Sequence, residues 1–464
     1  MRYLLAFALI MILVPAPLAA QSSATGCAQD YSGYLPPRLS SSDYGIISAD
    51  GVPNRVRALP SRSADYLFDL QPGIRFPLIA GPVCNEGIVW WLIEIDGRGG
   101  WTAESNAEDR TYYLQSGEPD ATVRPLIAPD TLTDLALLPY ELPSGSMSSA
   151  ANANVLAIAD AADQLTVYDA NNPAATRAAL VLERHITHLS LSPGGSYVAL
   201  GLADPEDNEQ RIAVYRYIRG GIEPLFQESP LLDIRAELPL RAVALHPLYL
   251  ASAHGDEAAG NGLAILWSTR TWTEIARFEL PFPVDQLAFD ASGLGLVVST
   301  TRRGDATHLI NLVTLEDTSA LNESGVLAVN RAANPALGQL LIGKHDGSVT
   351  FVNVLAGEQT GSLGPGRLER LGAVEIFAAT GDQLVAVTAL AIHPDGTLVS
   401  IVGIEQAEIA HIDLASAVAF PSRLPVPEAG RFDTLAFTSD GTGLLASYRT
   451  RDEQHSNALF GIQP

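Results

Sequence analysis

Few residues of this chain are equipped for chemistry, and their spacing disarms most of them. Gly338-Gln-Leu-Leu-Ile-Gly343-Lys344-His345 follows most of a phosphate-binding loop, in which backbone N–H groups cradle phosphate and a closing Ser or Thr ligates magnesium. His345 stands at the magnesium position, and Leu340, Leu341 and Ile342 read as a strand where a loop is needed. The nine histidines include no H-E-x-x-H pair, and no G-x-S-x-G elbow occurs. His185 and His188 flank a strand, where odd spacing sends side chains to opposite faces, and His246 and His393 sit in turns before proline. Asp204, Glu206, Asp207 and Glu209 are calcium-ligand types, yet they lack the spacing and central glycine of an EF-hand loop, so they read as a solvated hairpin tip. Asn322-Glu-Ser324 is a glycosylation triplet by pattern alone. No catalytic residue, metal site or cofactor is expected.

The remaining reactive groups are two cysteines, Cys27 and Cys84, whose state depends on where the chain ends up. Arg2, an apolar run from Tyr3 to Val14 and small residues through Ala20 precede the polar Gln21, the pattern of a secretory signal peptide over residues 1–20. In an oxidising compartment the pair reads as a disulfide, stabilising by about 4 kcal/mol in the chain-entropy model. Unlinked thiols are the alternative, and Ala24-Thr-Gly before Cys27 loosely matches a lipoprotein box that would place a lipid on that sulfur. No other apolar stretch is long enough to span a bilayer. The formal net charge of −24 repels phosphate backbones and anionic lipid, which excludes nucleic acid as a partner class.

At 464 residues with 47% hydrophobic and 17% charged side chains, the chain has material for one small and one large folded unit. A segment and polar linker over residues 21–42 leads to short apolar runs broken by glycines over residues 43–117. There Asn54-Arg-Val-Arg57, Leu70-Gln-Pro-Gly73, Gly81-Pro-Val-Cys84-Asn-Glu-Gly87-Ile-Val-Trp90-Trp91 and Gly97-Arg98-Gly-Gly100-Trp101-Thr resemble, in order, the motifs of a bacterial SH3-like domain. The resemblance implies a small β-barrel of the kind that holds exported proteins to the cell envelope by binding peptidoglycan or peptide. Alternation along one strand places Trp91, Ile93 and Ile95 in its core and Trp90 beside Glu94 outside. Trp90 and Glu94 are therefore the candidate ligand-binding pair, the alternative being that Trp90 packs under the neighbouring tail or against the second unit. Trp101, Tyr112 and Tyr113 are expected to be structural.

Residues 118–464 carry internal repeats. An apolar anchor followed by a turn recurs at Leu135-Ala-Leu137, Leu189-Ser-Leu191, Val243-Ala-Leu245, Leu287-Ala-Phe289, Leu327-Ala-Val329, Leu390-Ala-Ile392 and Leu435-Ala-Phe437, at intervals of 54, 54, 44, 40, 63 and 45 residues. Each anchor precedes two further strand-like runs, such as Tyr197–Leu200 and Ile212–Tyr215. This is the layout of four-stranded blades, so the fold class is all-β, an SH3-like barrel plus a seven-bladed β-propeller. The last repeat ends one strand short, and Ala121–Ile127 is expected to close the ring from the N-terminal side. The Ser-Pro-Gly-Gly turn and Tyr168-Asp169 resemble WD-repeats, although Trp-Asp itself and the G-H pair are absent.

These readings point to an exported, non-catalytic, monomeric binding or scaffold protein of the bacterial cell envelope, with the barrel anchoring and the propeller binding a protein, peptide or cell-wall glycan. The alternative is a propeller-type hydrolase or lyase acting on an extracellular polysaccharide. Three or more convergent His, Asp, Glu or Arg side chains in the central funnel would favour the enzyme, and a funnel of small apolar side chains would favour binding.

Overall fold

A computed structural model describes residues 27, 31–40, 44–47, 52–117, 135–137, 142, 145–150, 155–160, 162–169, 172–218, 225–302, 307–321, 325–331, 340–356, 365–375, 386–393, 398–403, 408–413, 418–423, 429–438, 441–450, 452 and 454–462. The signal-peptide segment 1–20, Ala121–Ile127 and Asn322-Glu-Ser324 lie outside them. All regular structure among the described residues is β.

The N-terminal unit is one antiparallel sheet of β1 (Tyr44–Ile47), β2 (Asn54–Arg57), β3 (Tyr66–Leu70), β4 (Arg75–Asn85), β5 (Ile88–Ile95), β6 (Arg98–Asn106), β7 (Thr111–Tyr112) and β8 (Leu114–Gly117). Its order is β3-β2-β6-β5-β4-β1-β8, with β7 on β6. The alternation read from β5 holds. Trp91 and Ile93 join Val56, Phe76 and Leu78 in the unit's own core, while Trp90 and Leu92 belong to a second cluster on the other side.

The expected linker is not loose. Buried Glu104 accepts from Trp91 Nε1 and from the Arg38 N–H, each at 2.6 Å. The Tyr112 hydroxyl donates to the Pro36 carbonyl at 2.8 Å, and the Arg38 guanidinium stacks 3.5 Å above the Tyr112 ring. Cys27 and Cys84 are joined in a disulfide that closes a separation of 57 residues, so the Cys27 sulfur is not available for a lipid.

Beyond the N-terminal unit lies a β-propeller, in which the described residues form six four-stranded sheets and one of five strands. They comprise β10–β13 (Gly145–Ala150, Val155–Asp160, Gln164–Asp169, Asn172–Val181) and β14–β18 (His185–Leu191, Tyr197–Ala203, Gln210–Ile218, Leu225–Phe226, Leu232–Arg235). Next come β19–β22 (Leu240–Leu245, Tyr249–Asp256, Asn261–Ser268, Glu274–Leu280) and β23–β26 (Gln286–Phe289, Gly295–Ser299, Thr307–Asn311, Glu316–Leu321). Then follow β27–β30 (Val326–Arg331, Leu340–Lys344, Ser348–Ala356, Pro365–Glu375) and β31–β34 (Val387–Ile392, Leu398–Gly403, Glu408–Asp413, Val418–Arg423). The last is β35–β37 (Ala429–Phe437, Gly443–Thr450, His455–Ile462), completed by β9 (Leu135–Leu137). First strands of successive sheets lie beside one another from β10 to β35, and β35 lies beside β10.

Two expectations about chain order need correction. Leu135-Ala-Leu137 is the outer strand on β37, not the start of the first repeat. The first strand of that repeat is Gly145-Ser-Met-Ser-Ser-Ala150, whose small polar residues hide it from a search for apolar runs. The strand that completes the last sheet is thus β9, whose register sets Leu135 opposite Ile462 and Leu137 opposite Phe460, and the expected closing segment Ala121–Ile127 lies outside the described residues.

Candidate functional site

The only candidate pair read from the sequence lands in a buried joint. Trp90 is 3% exposed and Glu94 2% exposed, both on the face of β5 that meets the propeller. Their expected role as an open ligand-binding surface is therefore corrected, and the physical reason is apolar burial. Trp90, Leu92 and Trp101 pack with Leu294, Leu248 and Val313 from the propeller, and leaving such side chains in water would forfeit roughly 2 kcal/mol each.

The joint is built from turns. The β14–β15, β19–β20 and β23–β24 turns each meet the N-terminal unit. Ser192 Oγ–H donates to Glu94 Oε1 at 2.8 Å, and the Gly194 N–H donates to Oε2 at 2.9 Å. The Tyr197 hydroxyl donates to the Gly97 carbonyl, and Arg216 Nη2 donates to the Asp96 carbonyl at 2.8 Å. The Gly81 N–H reaches the Ala291 carbonyl at 3.4 Å. A Cβ at Gly99 would lie 2.2 Å from the Pro247 carbonyl oxygen, so glycine is required for the close approach at the middle turn.

Among the described residues, Glu94 has hydroxyl and N–H partners and makes no ion pair. Burial pushes its pKa above the ordinary value, and the hydrogen bonds from Ser192, Gly194 and Ser196 pull the other way. Trp90 is satisfied within its own unit, its Nε1 donating to the Asn85 carbonyl at 3.3 Å.

Sequence reasoning missed Ser192, Gly194, Tyr197 and Arg216. One signal was available. Gly195 has φ of +70° and so serves the turn itself, whereas Gly194 carries no such requirement. Its Cβ would stand 2.6 Å from the Glu94 carboxyl carbon, which is why a second glycine is needed.

The other motifs fall into structural places. Leu340–Lys344 is a strand, and Lys344 pairs with Asp346 at 3.4 Å. His185 bonds Asp163 at 2.7 Å, while His188 lies near Arg241 and His254 with its pKa pushed down to about 4 by burial. The two histidines thus turn to different neighbours. The His246 ring lies tilted 4.7 Å from that of Phe289, and His393 Nε2 lies 3.1 Å from the Gly441 carbonyl, so both turn histidines reach across to the next sheet. Buried Trp267 Nε1 donates to Ser252 Oγ at 3.2 Å, and that hydroxyl lies 3.0 Å from His254 Nε2. His254 Nδ1 faces the Leu238 carbonyl at 3.2 Å, which fixes the tautomer with Nε2 as acceptor.

On the propeller face away from the joint, the acidic loop is an ordinary capped hairpin tip. Asp204 Oδ1 accepts from the Glu206 N–H at 2.9 Å and Asp207 Oδ1 from the Glu209 N–H at 2.8 Å. Arginines brace this rim, with Arg184 3.5 Å from Asp204, Arg211 3.0 Å from Glu209 and Arg241 2.9 Å from Glu257. Glu206, Asp207 and Glu257 remain exposed there.

The first strands carry small residues at one recurrent position, Ser148, Ser190, Ala244, Ala288, Ala391 and Ala436, and the register of β27 sets Asn330 there. Ser148 Oγ accepts from the Leu191 N–H and Ser190 Oγ from the Leu245 N–H, each at 3.1 Å, so these side chains stand between adjacent first strands. Small residues let the strands converge at the centre.

No protein-family profile matches the chain, and no curated protein matches it. Solved structures do. The crystal structure of the Myceliophteria thermophila Cps50 (Swd1) beta-propeller domain is 15% identical, with a TM-score of 0.54, and the match covers 71% of this chain and 100% of that one. A chain of the crystal structure of the Mitotic Checkpoint Complex is 16% identical, with a TM-score of 0.49 over 76% of this chain and 99% of that one. The first of these likenesses establishes the propeller fold and nothing finer. No helix among the described residues is long and apolar enough to cross a membrane.

Proposed function

We propose that the protein is an exported, non-catalytic, monomeric binding or scaffold protein of the bacterial cell envelope. In this reading the N-terminal sheet is an SH3-like barrel fixed to one face of a seven-bladed ring, and the ring's other face takes a protein or peptide ligand. The order of motifs in residues 43–117 supports the barrel, and the circuit of neighbouring first strands from β10 round to β35 supports seven blades closed by β9. The disulfide and the N-terminal apolar run support export.

One observation carries the non-catalytic reading. The recurrent position at the centre of the propeller holds serine or alanine in every sheet but the one begun by β27, which sets Asn330 there, so no acid or base stands at that position, where a funnel enzyme would gather them. The joint occupies one face, which leaves the exposed rim at Glu206, Asp207 and Glu257 as the binding side.

The test is a pulldown from envelope extract and from purified cell-wall glycan with the intact mature chain, beside a Glu206→Lys, Asp207→Lys, Glu257→Lys variant. The expected result is a protein or peptide retained by the wild type and lost by the variant. Retention of glycan alone, or of the same protein equally by both, would overturn the assignment. Export is checked by N-terminal sequencing of the protein recovered outside the cytoplasm, expected to start at Gln21.

A further inference from the structure

The joint is unusual in what holds it. A carboxyl taken out of water is ordinarily balanced by an arginine or lysine, but Glu94 meets Ser192, Gly194 and Ser196 alone. The charged and titratable groups around it are engaged elsewhere. On its own hairpin, Asp96 offers its carbonyl to Arg216, and the Arg98 guanidinium stacks 4.4 Å above the Phe68 ring. On β15 the Tyr197 hydroxyl is given to the Gly97 carbonyl, and on β16 Arg216 is held by Asp96. The β14–β15 turn itself, Ser192 to Ser196, contains no charged side chain.

We propose that Glu94 is a proton-operated latch between the two units: protonated, it seats the N-terminal unit on the β14–β15 turn, and ionised, it loosens that seat. The geometry supplies the reason. Glycine at 194 admits the carboxyl into a closed space where it is 2% exposed, so an ionised carboxylate there has lost its water without gaining a countercharge. Burial holds the folded-state pKa above the ordinary 4.5. A raised acid contributes stability that is whole below its ordinary value and is lost as pH rises through the raised one. The joint is therefore tight in acid and looser towards alkaline pH.

The test is amide hydrogen exchange on the intact mature chain from pH 5 to pH 8.5, with rates corrected for the intrinsic pH dependence of exchange. Peptides spanning Ile88–Asn106 and His185–Ala203 report the joint, and a peptide spanning Val155–Asp169 is the reference. The expected result is loss of corrected protection in both joint peptides as pH rises, with the reference unchanged. Glu94→Gln, which has no proton to lose, is expected to remove that pH dependence. Flat protection in the wild type, or the same loss in Glu94→Gln, would overturn the latch. Should Glu94→Gln fail to fold by circular dichroism, Ser192→Ala decides. It removes a donor to the ionised form and should move the loss of protection to higher pH, and a loss that stays in place or moves to lower pH would overturn the latch.

Discussion

Three turns of the propeller share one backbone frame and differ in what their first residue can do. In the β14–β15, β23–β24 and β35–β36 turns the first N–H bonds the carbonyl five residues on: Ser192 to Tyr197, Asp290 to Gly295 and Thr438 to Gly443. In each, the first residue's side chain also collects the inward N–H groups. Asp290 Oδ1 accepts from Leu294 and Gly295 at 3.1 and 2.8 Å, and its Oδ2 takes the Ser292 hydroxyl at 2.5 Å. Ser192 Oγ accepts from Ser196 and Tyr197 at 3.1 and 3.0 Å, then donates its own hydrogen to Glu94. The β23–β24 turn thus contains its own carboxyl group, and the β14–β15 turn receives one from the other unit. A hydroxyl at the first position closes the turn and leaves a donor to spare, which converts a closed turn into a docking point.

The comparison is broken most severely at Asp290. Asp290→Ala takes the acceptor from the buried Gly295 N–H and leaves the Leu294 N–H only Ser292 Oγ at 3.2 Å, and it should cost about 2 kcal/mol of propeller stability, read as a lower urea midpoint for the whole transition. Asp290→Ser restores an acceptor in the manner of Ser192 and should recover at least half of that loss. Equal damage from both would mean that the frame does not depend on the first side chain.

A more local loss is expected at the donated carboxyl. Glu94→Ala should cost about 2 kcal/mol, and only at the joint. Trypsin or hydrogen exchange should find the N-terminal unit released while the propeller's urea midpoint stays in place. A drop in that midpoint matching Asp290→Ala would show that the two carboxyls do the same job. Gly194→Ala, whose Cβ would press within 2.6 Å of the flexible end of Glu94, should reproduce the release at about 1.5 kcal/mol because the side chain has some room to yield.

How much of this was legible in the sequence follows from what each signal depends on. Five of the seven anchors end first strands, as Leu189–Leu191 in β14 and Leu287–Phe289 in β23, and Leu327–Val329 lies within β27, because an apolar strand beside a turn is a local pattern. The first strand of the first sheet, Gly145–Ala150, was not legible, since strand geometry there comes from neighbouring strands and not from its own serines. Alternation told which face of β5 holds Trp91 and which holds Trp90, but not what Trp90 would meet. That information lies some hundred residues away in Ser192 and Gly194, and it became readable only when the fold brought the two together. Exposed aromatics and buried joints share one residue composition, so a Trp beside a Glu does not announce which it is.

The finest distinction within the comparison is at Thr438, which has a methyl as well as a hydroxyl at the first position. Its Oγ1 accepts from the Gly443 N–H at 2.9 Å. Thr438→Ala should therefore cost about 1 kcal/mol, a single neutral hydrogen bond to a buried amide, whereas Thr438→Asp imports the carboxylate of the β23–β24 turn without its Ser292 hydroxyl. If a first-position carboxylate is tolerated only where a hydroxyl two residues on supports it, Thr438→Asp should be no more stable than Thr438→Ala. Urea midpoints of the two variants decide the point, and a Thr438→Asp protein more stable than the wild type would show that the carboxylate alone closes the frame.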